Sequence, residues 1–218
     1  MTVEPPLSPG PPDLGTSLEP AVAGDLLRDR TLEGRELRSV DLAGEKLYDL
    51  RLRDCRLHDV DLAGATAAGF DLADVVVAEG SWANLSAPEA TVARLAMTGL
   101  RGTGAILTEA TLTDCSFDDC RLDLTLWRHA RLERVVFREC RLEEADFYGA
   151  AFSSVRFESC VLAAASVDTA TFERCELRGC ELTDLVGVER LRGVRMPWPD
   201  VVQIAGLLAA ANGIEIVD

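Results

Sequence analysis

Four cysteines spaced twenty residues apart are the residues of this sequence whose type and spacing could do chemistry. They are Cys120, Cys140, Cys160 and Cys180, and the remaining cysteines are Cys55, Cys115 and Cys175. Thiolates are ligands for zinc, and two thiols brought close together can form a disulfide. Which of these outcomes applies depends on the elements that position the cysteines.

Other chemistry-bearing residues are few and scattered. The only histidines are His58 and His129, and acidic pairs occur at Asp118-Asp119 and Glu143-Glu144 without a partner motif. The glycines around Thr103 are too few for a phosphate-binding loop. We therefore predict that the protein is not an enzyme, with no catalytic residue, cofactor or bound metal.

A five-residue repeat runs without interruption from Ala110 to Asp184. The third residue of each of its fifteen blocks is Leu, Phe, Trp or Val, and the first is Ala, Cys, Val or Thr. Neither a helix nor a flat strand places residues five apart on one face. The period suits a chain that turns a corner after each block, with the first and third residues pointing inward. Such short sides stack into a solenoid.

A second period of twenty gives the number of sides. The four cysteines follow it, and Val40-Asp41-Leu42-Ala43-Gly44 recurs twenty residues later as Val60-Asp61-Leu62-Ala63-Gly64. Twenty residues make four blocks, so each coil has four sides and equivalent residues stack on the coil below. The sequence predicts an all-β solenoid of about eight coils with a short C-terminal capping helix.

The blocks resemble the pentapeptide-repeat family, whose usual block is Ala, then Asp or Asn, then Leu, then two variable residues. Ala145-Asp146-Phe147 and Val60-Asp61-Leu62 match it closely, and the repeat covers about 70% of the chain, from Leu32 to Leu182 as central positions. The resemblance implies a right-handed four-sided β-helix. The chain departs from the family pattern where Arg takes the second position, as at Arg121 and Arg141.

The repeat places all seven cysteines at the small inward position, which is typical of buried hydrophobic residues. A column on one wall cannot surround a zinc ion tetrahedrally. Stacked coils about 4.8 Å apart would allow disulfides on distance alone. No secretion signal precedes the repeat, so we expect reduced thiols and a cytoplasmic location.

The net charge of −15 argues against direct binding to nucleic acid, since that requires a basic surface. An acidic balance favours solubility, and a sharper hypothesis is an acidic surface recognised by a basic protein partner. No window contains the roughly 20 apolar residues that a membrane span needs, so we predict no membrane association.

Three regions follow from the pattern. Residues 1–20 hold six of the nine prolines and predict a disordered tail, with a proline-recognition ligand at Pro6 to Pro9 as the less favoured alternative. Residues 21–185 form the solenoid. Charged Arg30, Arg35 and Glu45 at inward positions predict an open or distorted first coil, with regular geometry from Val40. The pattern weakens around residues 80–104, which we interpret as degenerate coils rather than a loop.

The third region, residues 186–218, contains an amphipathic helix that starts near Pro199. Its apolar face consists of Val201, Ile204, Leu207 and Leu208. This face is predicted to cap the open end of the solenoid, because a last coil would otherwise expose its core. A homodimer through the same helix is the alternative. Residues 214–217 are apolar enough for a final short strand.

These observations predict a non-enzymatic scaffold with a rigid surface for protein–protein interaction, its partner unknown. The family resemblance implies an alternative, because some members imitate DNA and bind type II topoisomerases, protecting gyrase from inhibitors. Over residues 30–184 the charges of the four sides sum to about 0, −2, −4 and −4. Basic residues interrupt the two acidic sides, which is weaker than a DNA-like strip and ranks this alternative second.

Overall fold

A computed structural model describes residues 4–217 and shows a parallel-strand solenoid of about eight coils. The strands are β1 Glu19–Ala21, β2 Thr31–Asp41, β3 Arg51–Asp61, β4 Asp71–Ala78, β5 Thr91–Thr98, β6 Thr111–Asp118, β7 Arg131–Arg138, β8 Ala151–Ser153, β9 Arg156–Glu158, β10 Thr171–Glu173 and β11 Glu176–Arg178. The helices are α1 Ala23–Asp29, a 3-10 turn at Val188–Arg190, α2 Trp198–Gln203 and α3 Ala205–Ala211.

Each coil pairs with the next in a register of twenty residues, as the sequence predicted. Leu52 lies beside Leu72, and Leu112 beside Leu132. The four faces are named by the central residues of one coil: face 1 at Leu112, face 2 at Phe117, face 3 at Leu122 and face 4 at Trp127. Bridges such as Arg121 to Arg141 continue the register where no strand is assigned.

The fifth residue of most blocks has a positive φ and forms the corner. Asp114, Asp119 and Leu124 have φ of 58°, 51° and 61°. This left-handed conformation costs a non-glycine residue about 1–2 kcal/mol. The corner amides are nevertheless bonded to the next coil, as where the Asp119 N–H donates to the Arg138 carbonyl at 3.0 Å. The hydrogen bonds therefore continue around the bends.

The core consists of the inward columns that the repeat predicted. Phe117, Phe137 and Phe157 stack with ring centroids 4.8 and 5.0 Å apart, and Trp127 meets Phe137 edge-on. The one hydroxyl in this part of the column is satisfied, because Thr125 donates to the Leu122 carbonyl and accepts from the Trp127 indole N–H. The interior is thus closely packed and apolar.

The prediction of an open or distorted first coil was wrong for the backbone pairing. β2 pairs with β3 from Thr31 onward. Arg35 is not buried, because it lies at the end of the rod and forms an ion pair with Glu19 at 3.1 Å. Helix α1 covers this end and inserts Leu26 into the core. An inward position in a terminal coil faces a cap rather than another coil, so a charge is tolerated there.

Residues 80–104 continue the coils, in agreement with the coil interpretation. Ser81 bridges to Arg101, and Leu85, Leu95 and Leu100 are all buried. Gly102 and the larger apolar residues around it border a void of about 40 Å³. The irregularity of the sequence is a matter of side-chain size and leaves the backbone path unchanged.

The C-terminal residues close the other end of the rod. The Asp200 carboxylate accepts from the Gly179 N–H at 2.6 Å, and the Gln203 side chain accepts from the Leu182 N–H. In earlier coils the equivalent amides donate to carbonyls of the next coil, as the Ser159 N–H does to the Arg178 carbonyl. The two side chains therefore replace a missing coil. The suggested final strand at residues 214–217 was wrong, since none is formed there.

Candidate interaction surface

The corner between faces 2 and 3 carries exposed acidic side chains, and we call it the acidic corner. It consists of Asp59, Glu79, Asp119 and Glu139, with Gly99 in the middle. Adjacent coils lie about 4.8 Å apart. Within the part of the chain that the structure describes, none of the four carboxylates forms an ion pair, although Asp59 accepts a hydrogen bond from Ser39. The acidic corner is therefore a line of negative charge without ion pairs among the described residues, although Arg101 borders the same surface depression as Asp59 and Glu79.

Most neighbouring acidic residues are neutralised by arginines. Asp118 pairs with Arg138 at 3.1 Å, and Asp146 pairs with Arg128 at 2.6 Å. Several such pairs are made by arginines at the second position of a block, where the family pattern prefers Asp or Asn. Arg141 is one of them and lies 3.6 Å from Asp123. Summing charge by side, as the sequence allowed, therefore hides the difference between paired and unpaired carboxylates.

A second acidic line lies at the corner that ends face 4, diagonally across the rod. It contains Asp49, Glu89 and Glu109, all exposed, and continues with His129. The His129 ring meets Tyr148 edge-on. This line is shorter than the acidic corner because Gly69 and His129 interrupt it.

The predicted capping face packs against the end of the rod. Ile204 is buried, while Val201, Leu207 and Leu208 are half-buried. Val201, Ile204 and Leu208 border a cavity of about 320 Å³ at this end of the rod. This is the placement that capping requires. Whether the chain also forms a homodimer here stays a prediction.

Other apolar side chains of the C-terminal region face outward. Trp198 is 75% exposed and Val202 is 53% exposed, and Ile214 and Ile216 are exposed beyond α3. The sequence analysis missed Trp198 and Val202 because it considered one face of the helix only. It also missed Asp200 and Gln203, whose capping role depends on the position of the last coil.

Replacing Leu208 with Asp tests the role of this region. A carboxylate in a half-buried apolar site is poorly solvated, so we expect thermal stability to fall by about 1–3 kcal/mol if the face caps the rod. The matched control is Val202→Asp on the exposed side, which should change stability little. Light scattering of both variants tests the alternative. If the face forms a homodimer, the wild type should be a dimer and Leu208→Asp should be a stable monomer.

All seven cysteines are free and buried, as predicted from their position. Each sulfur lies near a backbone carbonyl of the preceding coil, as Cys115 does near Val92 at 4.0 Å. Burial raises the pKa of Cys115 to about 12 and that of Cys175 to about 11. A hydrogen bond with a neighbouring thiol, together with burial, also raises the pKa of Cys140 and Cys180. Cys115 and Cys175 are therefore protonated at neutral pH.

Alkaline conditions should therefore destabilise the fold. A thiol with a raised pKa in the folded state contributes its full stability below its ordinary value near 9 and loses it as pH rises towards 12. Between about pH 8 and about pH 10.5 we expect a loss of about 1–2 kcal/mol from Cys115. Urea unfolding across this range measures it. Cys115→Ala, although less stable overall, should lose less over the same range, and an equal loss would contradict the assignment to this thiol.

No grouping of His, Cys, Asp and Glu within residues 4–217 has the arrangement of a metal site. His58 and His129 both lie at or beside corners, on different faces. In the same stretch no helix is long and apolar enough to cross a membrane.

The comparison with protein families agrees with this architecture. The model of the pentapeptide repeat region matches residues 101–166, the most regular coils of the rod. The chain contains a pentapeptide-repeat region. Its coils continue in the same register on both sides of the matched residues, from Thr31 to Val186. The solenoid thus extends over most of the chain, beyond the region that the family model matches.

The solved structures that align with most of this chain include HetL, a pentapeptide-repeat protein of the cyanobacterium Nostoc sp. strain PCC 7120. It is 16% identical, with a TM-score of 0.32, and the match covers 83% of this chain and 98% of HetL. QnrB1, a plasmid-mediated fluoroquinolone resistance protein, is 17% identical with a TM-score of 0.37, covering 82% of this chain and 100% of QnrB1. The search of curated proteins gave no match.

Proposed function

We propose that this pentapeptide-repeat chain is a non-enzymatic scaffold that binds a protein partner with a basic surface. The observation that carries the proposal is the acidic corner, where four exposed carboxylates lack ion pairs within the described residues. Their backbone is held on both sides by hydrogen bonds between coils. A rigid array of charges loses little entropy on binding and accelerates encounter with an oppositely charged partner.

The charge density of this corner supports a protein partner over DNA mimicry. The four carboxylates span four coil steps, or about 19 Å. A DNA duplex carries one negative charge per about 1.7 Å of axis, which gives about eleven over the same length. A single strand of that duplex carries about six of these charges, and the corner supplies four. DNA mimicry directed at a type II topoisomerase is therefore the second candidate.

A supercoiling assay separates the two candidates. The purified chain should leave the supercoiling activity of gyrase unchanged, with and without a quinolone. Dose-dependent inhibition, or protection from the quinolone, would reverse their order. For the favoured candidate, the variant Asp119→Lys with Glu139→Lys should lose its partner, because reversed charges repel a basic surface. The matched control, Glu89→Lys with Glu109→Lys, changes the net charge equally at the opposite corner.

A further inference from the structure

The N-terminal segment lies along the corner between faces 1 and 2, which we call the strap corner. This corner consists of Asp54, Asp74, Arg94, Asp114, Arg134, Ser154 and Arg174, together with Gly34. The Gly10 N–H donates to Asp114 at 3.0 Å and the Asp13 N–H donates to Asp74 at 3.0 Å. The segment runs antiparallel to the order of the coils, so that Gly15 lies at Asp54 and Glu4 at Arg174. A segment predicted to be disordered is thus placed on a specific track.

Two carboxylates of the track are held in orientation by arginines of the rod itself. Arg134 from the following coil donates to both oxygens of Asp114, at 2.7 and 2.9 Å. Arg94 does the same for Asp74, at 2.5 Å to each oxygen. These arginine hydrogen bonds, more than the backbone bonds from the segment, lower the pKa of both carboxyls, so both stay ionised acceptors at neutral pH. Bidentate pairing of this kind restricts the carboxylate plane.

The spacing of these two acceptors matches an extended proline-rich chain. Asp74 and Asp114 are two coils apart, or about 9.6 Å. The donors Gly10 and Asp13 are three residues apart, which in a polyproline II helix is one turn of about 9.3 Å. No residue of 4–29 has a positive φ, which agrees with this conformation. One turn of the segment therefore advances by one Asp–Arg pair of the rod.

Recognition at the three aspartates uses the backbone of the segment, whereas Arg174 pairs with the side chain of Glu4 at 3.5 Å. The contacts at Asp54, Asp74 and Asp114 all come from amide N–H groups. Pro9, Pro11 and Pro12 lack an N–H and leave no donor unsatisfied. No residue from 4 to 18 is buried. A different proline-rich segment with free N–H groups three residues apart would make the same contacts.

We propose that the strap corner is a docking track for an extended proline-rich segment of a partner protein, which residues 4–16 occupy in the resting chain. The inference rests on the proposed scaffold function and names a second binding surface for it. The segment is displaceable because its contacts are exposed or half-buried hydrogen bonds and ion pairs. Tethering gives it an effective concentration on the order of mM, so a competitor must bind more tightly or be abundant.

The test measures binding of a labelled peptide with the sequence of residues 4–16 by fluorescence anisotropy. The full-length variant Gly10→Pro with Asp13→Pro removes both donors of the resident segment while keeping its extended conformation. We expect this released chain to bind the peptide at least tenfold more tightly than the wild type does. In the released chain, adding Asp74→Asn and Asp114→Asn should lower the affinity for the peptide at least tenfold.

Glu79→Gln with Asp119→Asn in the released chain is the matched control, since it removes two charges from the same two coils at the acidic corner and should leave peptide binding unchanged. No binding to the released chain, or equal loss in the control, would overturn the docking track. Either result leaves the acidic corner and its partner to be tested separately, because the peptide does not contact that corner. Thermal unfolding of each variant confirms that the rod is intact.

Discussion

Truncating Phe137 to alanine should lower the free energy of unfolding by about 3–5 kcal/mol. The ring is fully buried, stacks between Phe117 and Phe157, and meets Trp127 edge-on. Removing it leaves a cavity in the middle of the rod, where coils on both sides hold the walls apart. Equilibrium unfolding in urea measures the loss, provided that the free energy of unfolding of the variant and of the wild type falls with the same slope against urea concentration.

The same truncation at Phe172 is the matched control. This ring stacks on Phe152 on one side only, at 4.8 Å, and is half-buried near the end of the solenoid. We expect a loss of about half that of Phe137→Ala, since a terminal site can collapse and its ring is partly hydrated already. Equal losses would mean that the interior does not pack as a continuous column.

Replacing Gly80 with alanine should cost about 3 kcal/mol. Its φ is 93°, and a Cβ there would lie 2.4 Å from the Val60 carbonyl oxygen and 2.8 Å from the Val60 nitrogen. These are backbone atoms of the preceding coil, so relief requires the coils to separate and weakens the bonds between them. Thermal and urea unfolding should both report the loss.

Gly64→Ala isolates the conformational part of this cost. Gly64 has a φ of 66°, with no atom within 4 Å of a Cβ. Only the left-handed conformation is penalised, and we expect about 1 kcal/mol. If Gly80→Ala cost no more than Gly64→Ala, the close approach of the coils at Val60 would be contradicted.

The core of the rod could be predicted because the five-residue repeat shows which positions point inward. A small residue in the first position and a large apolar residue in the third identify both inward columns, and Cys140 and Phe137 lie where the register places them. The same rule failed at Arg35, because it assumes a coil on both sides. Whether a position belongs to an end depends on where the cap lies, and the repeat carries no information on that.

The strap corner was out of reach of the sequence analysis for a different reason. Asp74 and Asp114 are forty residues apart with Arg94 and Arg134 between and beyond them, but a sum over a side cancels these charges. The segment that binds them has no periodicity of its own, and proline-rich composition by itself indicates disorder. Its placement depends on the match between the length of one polyproline II turn and the spacing of two coils. Predicting that match requires both the coil spacing and the geometry of the corner.

Capture of a partner from the source cell tests the scaffold account most directly. The measurement compares the proteins retained by three immobilised chains: the wild type, Asp119→Lys with Glu139→Lys, and Glu89→Lys with Glu109→Lys. We predict that a basic protein is retained by the wild type and by the opposite-corner variant and is lost from the acidic-corner variant. Retention of the same proteins in equal amounts by all three chains would contradict the claim that the acidic corner is the binding surface.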